Sequence, residues 1–475
     1  MKHKTKLFLG LFLSLLLIST LTPASDANAQ MFSSYASSLS IQNLSNTEAI
    51  VSFTYYYGGT GSNAGDVAST ATETLGAHDV MEVVAMPSSP FTGSVVISSS
   101  QPIGSVSTLN GNNKGRGAYV GSTSGSTSVV LPFMMHEWGT GGWNTYFSVQ
   151  NVGAGNATVN IDYNSCASAV DDTVIIEPYS MALVNQAIEP CMVGKVMTSA
   201  ILTSDQPIVV VVSQESTRVN SALVSNGYSS GSTNPVIPLV NSNNPPTPIG
   251  TGWRTAISMF NLDPTLNTVV TLKYVRKDGF ECQETRTIRA NSATEFGGNA
   301  FILGAPELTC PVGEYFVGAA YVVENSAGVD LVATVNQDRG TLASSYSSFN
   351  MDEGTPIVAF PRFVNQYGGF EDWDSTFTIM NVGSTNTYVK CVYTNATYES
   401  VLGLLEPYGV DEDLPRYGLP QNYSGAGVCT AYTDSTYSTI DAAARIVGVV
   451  NTRGHGDNND LMMTYEAINV EYSPE

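Results

Sequence analysis

The chain has 475 residues, 43% hydrophobic and only 13% charged, with 41 acidic against 19 basic side chains and a net charge of −22. That balance excludes nucleic acid as a partner, since phosphates are met by clustered Lys and Arg. It suits colloidal solubility, cations or basic surfaces instead.

Residues 1–29 read as an export signal. Lys2, Lys4 and Lys6 precede the apolar run Leu7 to Leu21, and Ala27-Asn28-Ala29 supplies the small residues of a cleavage site. The mature chain is then expected to begin at Gln30, with 16 basic and 40 acidic side chains and a net charge of −24 once three lysines and Asp26 are removed. No later stretch is an uninterrupted apolar run of roughly 20 residues, so no membrane-spanning helix is expected in the mature chain. No Leu-Pro-x-Thr-Gly sorting signal stands at the C-terminus, so covalent anchoring is not indicated.

The mature chain repeats itself. An alternating segment runs from Trp143 through Thr145, Phe147 and Val149 to Asn151. It returns from Trp253 to Asn261 and from Trp373 to Asn381, with a weaker copy from Tyr35 to Asn43. The four closing asparagines are 108, 110 and 120 residues apart, the spacing of a tandem array of domain-sized units. Period-two alternation marks a half-buried strand and places Trp143 on the face of Phe147 and Val149. The tryptophans are therefore expected in a core rather than on a sugar-stacking surface. An asparagine at the strand end is suited to bond its own backbone two residues on and fix the following turn.

A second strand follows in each unit and ends on an inward tyrosine, at Tyr55, Tyr163, Tyr274 and Tyr393. A tight turn comes next, clearest as Glu177-Pro-Tyr-Ser180 and Leu405-Glu-Pro-Tyr-Gly409. Two longer apolar strands then lead to a basic residue, Lys114 and Arg116, Arg218, Arg339 or Arg453. The expected role of these is a surface ion pair, with an inter-domain contact as the sharper reading. Proline-bearing segments at Ser128 to Phe133, Pro235 to Val240 and Pro356 to Phe363 lead into the next unit. Seven or eight short strands in about 110 residues, without helical periodicity, indicate an all-β fold. The expectation is four tandem immunoglobulin-like β-sandwich domains after a cleaved signal peptide, spanning 30–134, 135–244, 245–365 and 366–475, arranged as a rod.

Six cysteines fall as one pair in each of the last three units. Pairing within units gives disulfides Cys166–Cys191, Cys282–Cys310 and Cys391–Cys429, as an exported chain allows. The first two are expected to staple loops and the third to cross the sandwich interior.

No catalytic motif is present. His78, His136 and His455 lie in three different units, so no local Ser-His-Asp or metal triad can be built, and the chain is read as non-enzymatic. No cofactor is expected. The acidic clusters containing Glu371, Asp372 and Asp374 and containing Asp457 and Asp460 are weak calcium candidates, with solvated loops as the simpler reading. Asp171 with Asp172 and Asp411 to Asp413 belong to the same class. Tyr55-Tyr56-Tyr57 puts at least one ring outward, which keeps glycan binding open.

This grammar of a Trp-x-Thr strand ending in Asn, a Tyr strand and a proline turn resembles tandem β-sandwich domains of bacterial secreted and cell-surface proteins. The resemblance implies an extracellular structural or adhesive role, with the chain itself or cell-surface and matrix components as partners. Carbohydrate binding is the alternative function, and an enzyme would need a pocket joining different units. Thr464 to Glu475 further suggests a spare strand that completes the first unit of another copy, giving head-to-tail filaments.

Overall fold

The computed structural model describes residues 32–471 except 33, 84–86, 88–89, 112–114, 168–169, 193, 195, 217, 246–251, 298–307, 370–371 and 456–461. It is 63% strand and 2% helix, arranged as antiparallel sheets, and Met31–Glu475 forms one compact unit. Among the described residues no helix is long and apolar enough to cross a membrane.

Each repeat uses seven strands in the same order. The opening strands are Tyr35–Asn43, Asn144–Asn151, Arg254–Asn261 and Asp374–Asn381. The second strands are Ala49–Tyr57, Ala157–Tyr163, Thr268–Arg276 and Thr387–Tyr393. The third are Val67–Leu75, Asp172–Ile176, Glu281–Ile288 and Glu399–Leu405, and the fourth Val80–Val83, Met181–Asn185, Ser292–Phe296 and Val410–Asp413. Fifth and sixth strands are Gly93–Ser99 with Ile103–Gly111, Phe316–Asn325 with Leu331–Arg339, and Tyr423–Tyr432 with Ile446–Arg453. In repeat 2 they fuse into one strand, Val196–Ser216. The last strand of each set, here termed axial, is Gly115–Val120, Ser221–Asn226, Leu342–Ser347 or Met462–Glu466.

One sheet of each repeat runs fourth, opening, sixth, axial; the other runs third, second, fifth. Their facing sides make the core. The inward alternation expected of the opening strand holds, with Phe147 and Val149, Ile257 and Met259, and Phe377 and Ile379 all buried. So does the inward tyrosine, as Tyr55, Tyr163, Tyr274 and Tyr393 are buried. The tryptophans diverge: Trp373 is buried in the core with Phe377 and Ile379, whereas Trp143 is half-buried against a separate cluster of Phe133, Met135, Leu223 and Ala343, and Trp253 is half-buried.

The closing asparagines do what their position demands. All four are fully buried. Each side-chain carbonyl accepts from the backbone N–H two residues on, at 2.8–3.0 Å, from Ser45, Gly153, Asp263 and Gly383. Each amide group donates into the following turn, to the carbonyls of Thr47, Gly155, Leu266 and Thr385. In three repeats it also reaches the end of the third strand, at Leu75, Ile176 and Leu405. One side chain thus ties the two sheets at their shared end.

The proline-bearing linker strands Ser126–His136, Pro235–Ser242 and Ile357–Asn365 pair forward, each with the fifth strand of the repeat that follows it. Every one breaks register at its proline, skipping Pro132 and Phe133, Pro238 and Leu239, or Pro361 and Arg362. A residue without an N–H sits there at no cost to the ladder. Beyond the bulge, the hydroxyl of Thr145, Thr255 or Ser375 accepts from the linker backbone at Met135, Asn241 or Val364. That contact explains the Thr of the Trp-x-Thr pattern.

The repeats do not form the expected rod. The four axial strands touch in a closed cycle, each against the axial strands of its two neighbours, with the fourth against the first. Asn226 donates to the carbonyl of Val120 at 3.0 Å, Asn336 to Gln214 at 2.7 Å and Thr464 to Ser344 at 2.7 Å, linking repeats 1 to 4 in turn. Closure is apolar: Ala118 and Val106 of repeat 1 share a core with Met463, Tyr465 and Phe363 of repeat 4. Arg116 lies 5.4 Å over the Trp373 ring across the same junction, so here the inter-domain reading of the basic residue holds; Lys114 lies outside the described residues.

The three disulfides form as paired by unit. Cys391–Cys429 departs from the expected geometry: the two residues are directly opposite on neighbouring strands of one sheet, so the bond is buried but does not cross between sheets. The C-terminal segment is also not spare. Thr464 belongs to the axial strand and Ile468–Val470 pairs with the linker strand of its own repeat.

Replacing Asn151 by Ala leaves the carbonyls of Gly155 and Ile176 and the N–H of Gly153 without partners. A loss of about 2 kcal/mol or more in unfolding free energy is expected, read as a lowered denaturant midpoint, with Asn151→Asp worse because a carboxylate would face carbonyl oxygens.

Candidate functional site

Positive-φ residues recur at two places, just after the linker strands, at Glu137, Asn243 and Gln366, and in the turn after the third strand. His78, Tyr179, Asn291 and Tyr408 stand at φ between 47° and 62°, each at the same position of the turn after the third strand. Glycine or asparagine is usual there, and a large side chain costs conformational energy. What the side chains do with the position is clear in repeats 2 and 4. Tyr179 stacks on Tyr56 of repeat 1 at 5.1 Å between ring centres, and Tyr408 on Tyr321 of repeat 3 at 3.9 Å. At the junction of repeats 2 and 3, the Asn291 carbonyl accepts from Asn164 at 2.7 Å. The turn reaches back to the preceding repeat. Tyr56, the outward ring of the Tyr55-Tyr56-Tyr57 run, is therefore taken up in a junction, while Tyr55 is buried and Tyr57 packs near Phe91 at 5.8 Å.

The densest charged constellation lies in repeat 4, around the marker Trp373. Arg416, on the short 3-10 turn Pro415–Tyr417, donates to Asp372 at 2.7 Å and also pairs with Asp374. Asp374 is almost fully buried; its other oxygen accepts from the Gln366 backbone at 3.0 Å. His455 approaches through Nε2, 3.0 Å from both Asp374 and Arg416. Arg453 is opposite Asp374 in the sheet register. Repeat 3 carries a related pair at the equivalent place, where Arg254 grips Asp338 with two nitrogens at 2.7–2.9 Å.

These contacts bear on the sequence-derived calcium candidates. Asp372 and Asp374 are engaged by a guanidinium, which occupies the oxygens a cation would need. Glu371, Asp457 and Asp460 lie outside the described residues. Elsewhere, Asp171 accepts from the Tyr163 backbone at 2.8 Å and Asp411 pairs with Lys277 across the junction of repeats 3 and 4. Asp171 is also close to Cys166 and Cys191, but their sulfurs are bonded to each other and offer no thiolate.

The remaining histidines are not drawn together. His136 bonds the carbonyl of Gly194 at 2.7 Å in repeat 2, and His78 sits in the repeat 1 turn. Buried Glu284 takes hydrogen bonds from Arg286 at 2.6 Å, the Gly297 backbone at 2.7 Å and Tyr274 at 3.1 Å. Buried Glu215 takes them from Ser213 and, across the first junction, from Tyr35. Both act as braces. Asp372, Asp374, Arg453 and His455 stand out singly in the sequence, but their meeting with Arg416 has no signal there, because the members are up to 83 residues apart and come together only in the fold.

Burial holds the His455 imidazole below its ordinary value of 6.5, and the nearby Arg416 and Arg453 add to the effect against an opposing pull from Asp372. The unfolded chain therefore takes up this proton at a higher pH than the folded one. Stability from His455 is complete above pH 6.5 and is lost as pH falls through the folded value. His455→Gln is expected to flatten the fall in melting temperature on acidification from neutral pH, measured against the unsubstituted chain.

No protein-family model matches the chain, and no curated protein sequence does.

Proposed function

We propose that the protein is a secreted, non-catalytic structural or adhesive component of a cell surface or extracellular matrix, beginning at Gln30 after removal of an export signal. The four repeats act as tandem sandwich domains of immunoglobulin-like size. Their strand order differs from the ABED and CFG sheets of immunoglobulin domains, so the likeness is one of size and layering.

The observation that carries this reading is where the polar side chains are used. The buried asparagines hold turns, Asn226, Asn336 and Thr464 tie neighbouring repeats, and Glu215 and Glu284 are braces. Three disulfides suit the oxidising exterior. Such a body resists unfolding and presents an acidic surface, which favours basic or cation-bridged partners on a wall or matrix. Filaments through the C-terminal strand are not part of the proposal, since that strand is paired at home.

A second reading, glycan recognition, has one observation in its favour. Tyr417 is 94% exposed and follows Arg416, so an aromatic face stands beside the charged cluster. Both readings are tested together on protein purified from culture medium. The structural reading expects a mass that begins at Gln30, three intact disulfides, retention on intact cells or matrix, and no saturable signal on a glycan array. Saturable glycan binding abolished by Tyr417→Ala would favour the second reading, and a chain confined to the cytoplasm would contradict both.

A further inference from the structure

Among the described residues one strand position is filled in repeats 2, 3 and 4 and open in repeat 1. In repeats 2, 3 and 4 the linker strand pairs with the fifth strand, and its other face covers the fourth–opening–sixth–axial sheet of the next repeat around the ring. Thus the Pro132 carbonyl accepts from Ser258 of repeat 3 at 2.8 Å, and Val130 packs with Phe260 and Val332 there. Pro361 of the last linker packs over Gly104 of repeat 1. Among the described residues repeat 1 has no linker strand, and its sheet stops at the fifth strand, Gly93–Ser99.

Three consequences of that one omission are visible. Ile97 on the open fifth strand is half-buried, whereas Leu202, Val322 and Cys429 at the same position are buried. Ser37 is exposed, whereas Thr145, Thr255 and Ser375 at its position each accept a linker N–H. On the neighbouring face of repeat 2, Val209 and Val211 are half-exposed, whereas Val447 and Val449, their counterparts in repeat 4, are fully buried. An unpaired strand edge, an unused hydroxyl and an uncovered apolar sheet face therefore border one slot.

We propose that this slot binds an extended strand donated by another polypeptide, by β-strand addition. The chain itself supplies the template for the donor: eight to eleven residues, with a nearly unbroken apolar run because both faces are covered and a proline where the register breaks, as in Ser126–His136, Pro235–Ser242 and Ile357–Asn365. The inference rests on the proposed cleavage before Gln30. The mature chain then has only Gln30 and Met31 ahead of Phe32, too few for a linker, and its three linkers and C-terminal strand are already paired. Residues 18–28, with Pro23, stand at the linker's distance from the opening strand and would be lost on cleavage.

The test uses secreted protein and a synthetic peptide with the sequence Thr355 to Gln366 of this chain, followed by fluorescence anisotropy and amide hydrogen exchange. Saturable binding is expected, about tenfold or more tighter than for a shuffled peptide, with slowed exchange at residues 93–99. The double variant Val209→Glu, Val211→Glu is expected to lose that binding while melting cooperatively; if it fails to fold, the exchange footprint on the unsubstituted protein decides. Equal binding of the shuffled peptide, or unchanged exchange at residues 93–99, overturns the proposal. Intact mass separates the two ideas. A chain starting at Gln30 that binds no peptide refutes strand acceptance alone, and a secreted chain that retains residues 18–28 and protects 93–99 without peptide refutes both the cleavage and the donation in trans.

Discussion

Close approach of the four axial strands is the constraint on which the rest depends. Each lies against the axial strands of two neighbours, and the side chains between them are small, apolar or hydrogen-bonded. Gly117 faces Val224 so closely that a Cβ would overlap it, and its register equivalents on the other axial strands are Leu223, Ser344 and Met463, all buried. Backbone hydrogen bonding to the sixth strand holds each axial strand in register, so the side chains that meet across the junctions stand at fixed positions. Buried polar groups follow from the same geometry. Asn336, Gln214, Thr464 and Ser344 are too enclosed to reach water, and each finds its partner in a neighbouring repeat.

Closure changes what each repeat must do. A domain in a rod needs a self-sufficient surface at both ends, whereas here the linker strand completes its own sheet and covers the next repeat, and the turn after the third strand reaches back. The Tyr179 and Tyr408 turns accept unfavourable backbone angles, and their rings gain stacking partners across junctions. Cost and gain thus fall in different repeats, which makes the repeats interdependent. A body braced in this way is in keeping with the scaffold role proposed above.

Local patterns made much of this legible. Period-two alternation located the opening strands, the asparagines announced their turns, and the pairing of cysteines by unit followed from position. Each depends on contacts within a repeat or a few residues along the chain. Ring closure depends on Met463 meeting Ala118, more than 300 residues apart, and no periodicity encodes which end meets which. The place of the Cys391–Cys429 bond is not legible for a related reason: both residues are buried, but the sequence does not say whether their strands are neighbours or face each other across the core. The acidic residues around Trp373 read as a solvated loop or a weak calcium site because their partner, Arg416, lies far along the chain on a turn with no motif. Tyr417 was missed likewise, since exposure is a property of the fold.

Small-angle X-ray scattering of the mature protein in dilute solution tests ring closure most directly. Compact packing of residues 30–475 predicts a radius of gyration of roughly 22 Å, somewhat larger if the centre is loosely filled. A value of about twice that, with the distance distribution of an elongated particle, would show four units strung end to end and contradict the account.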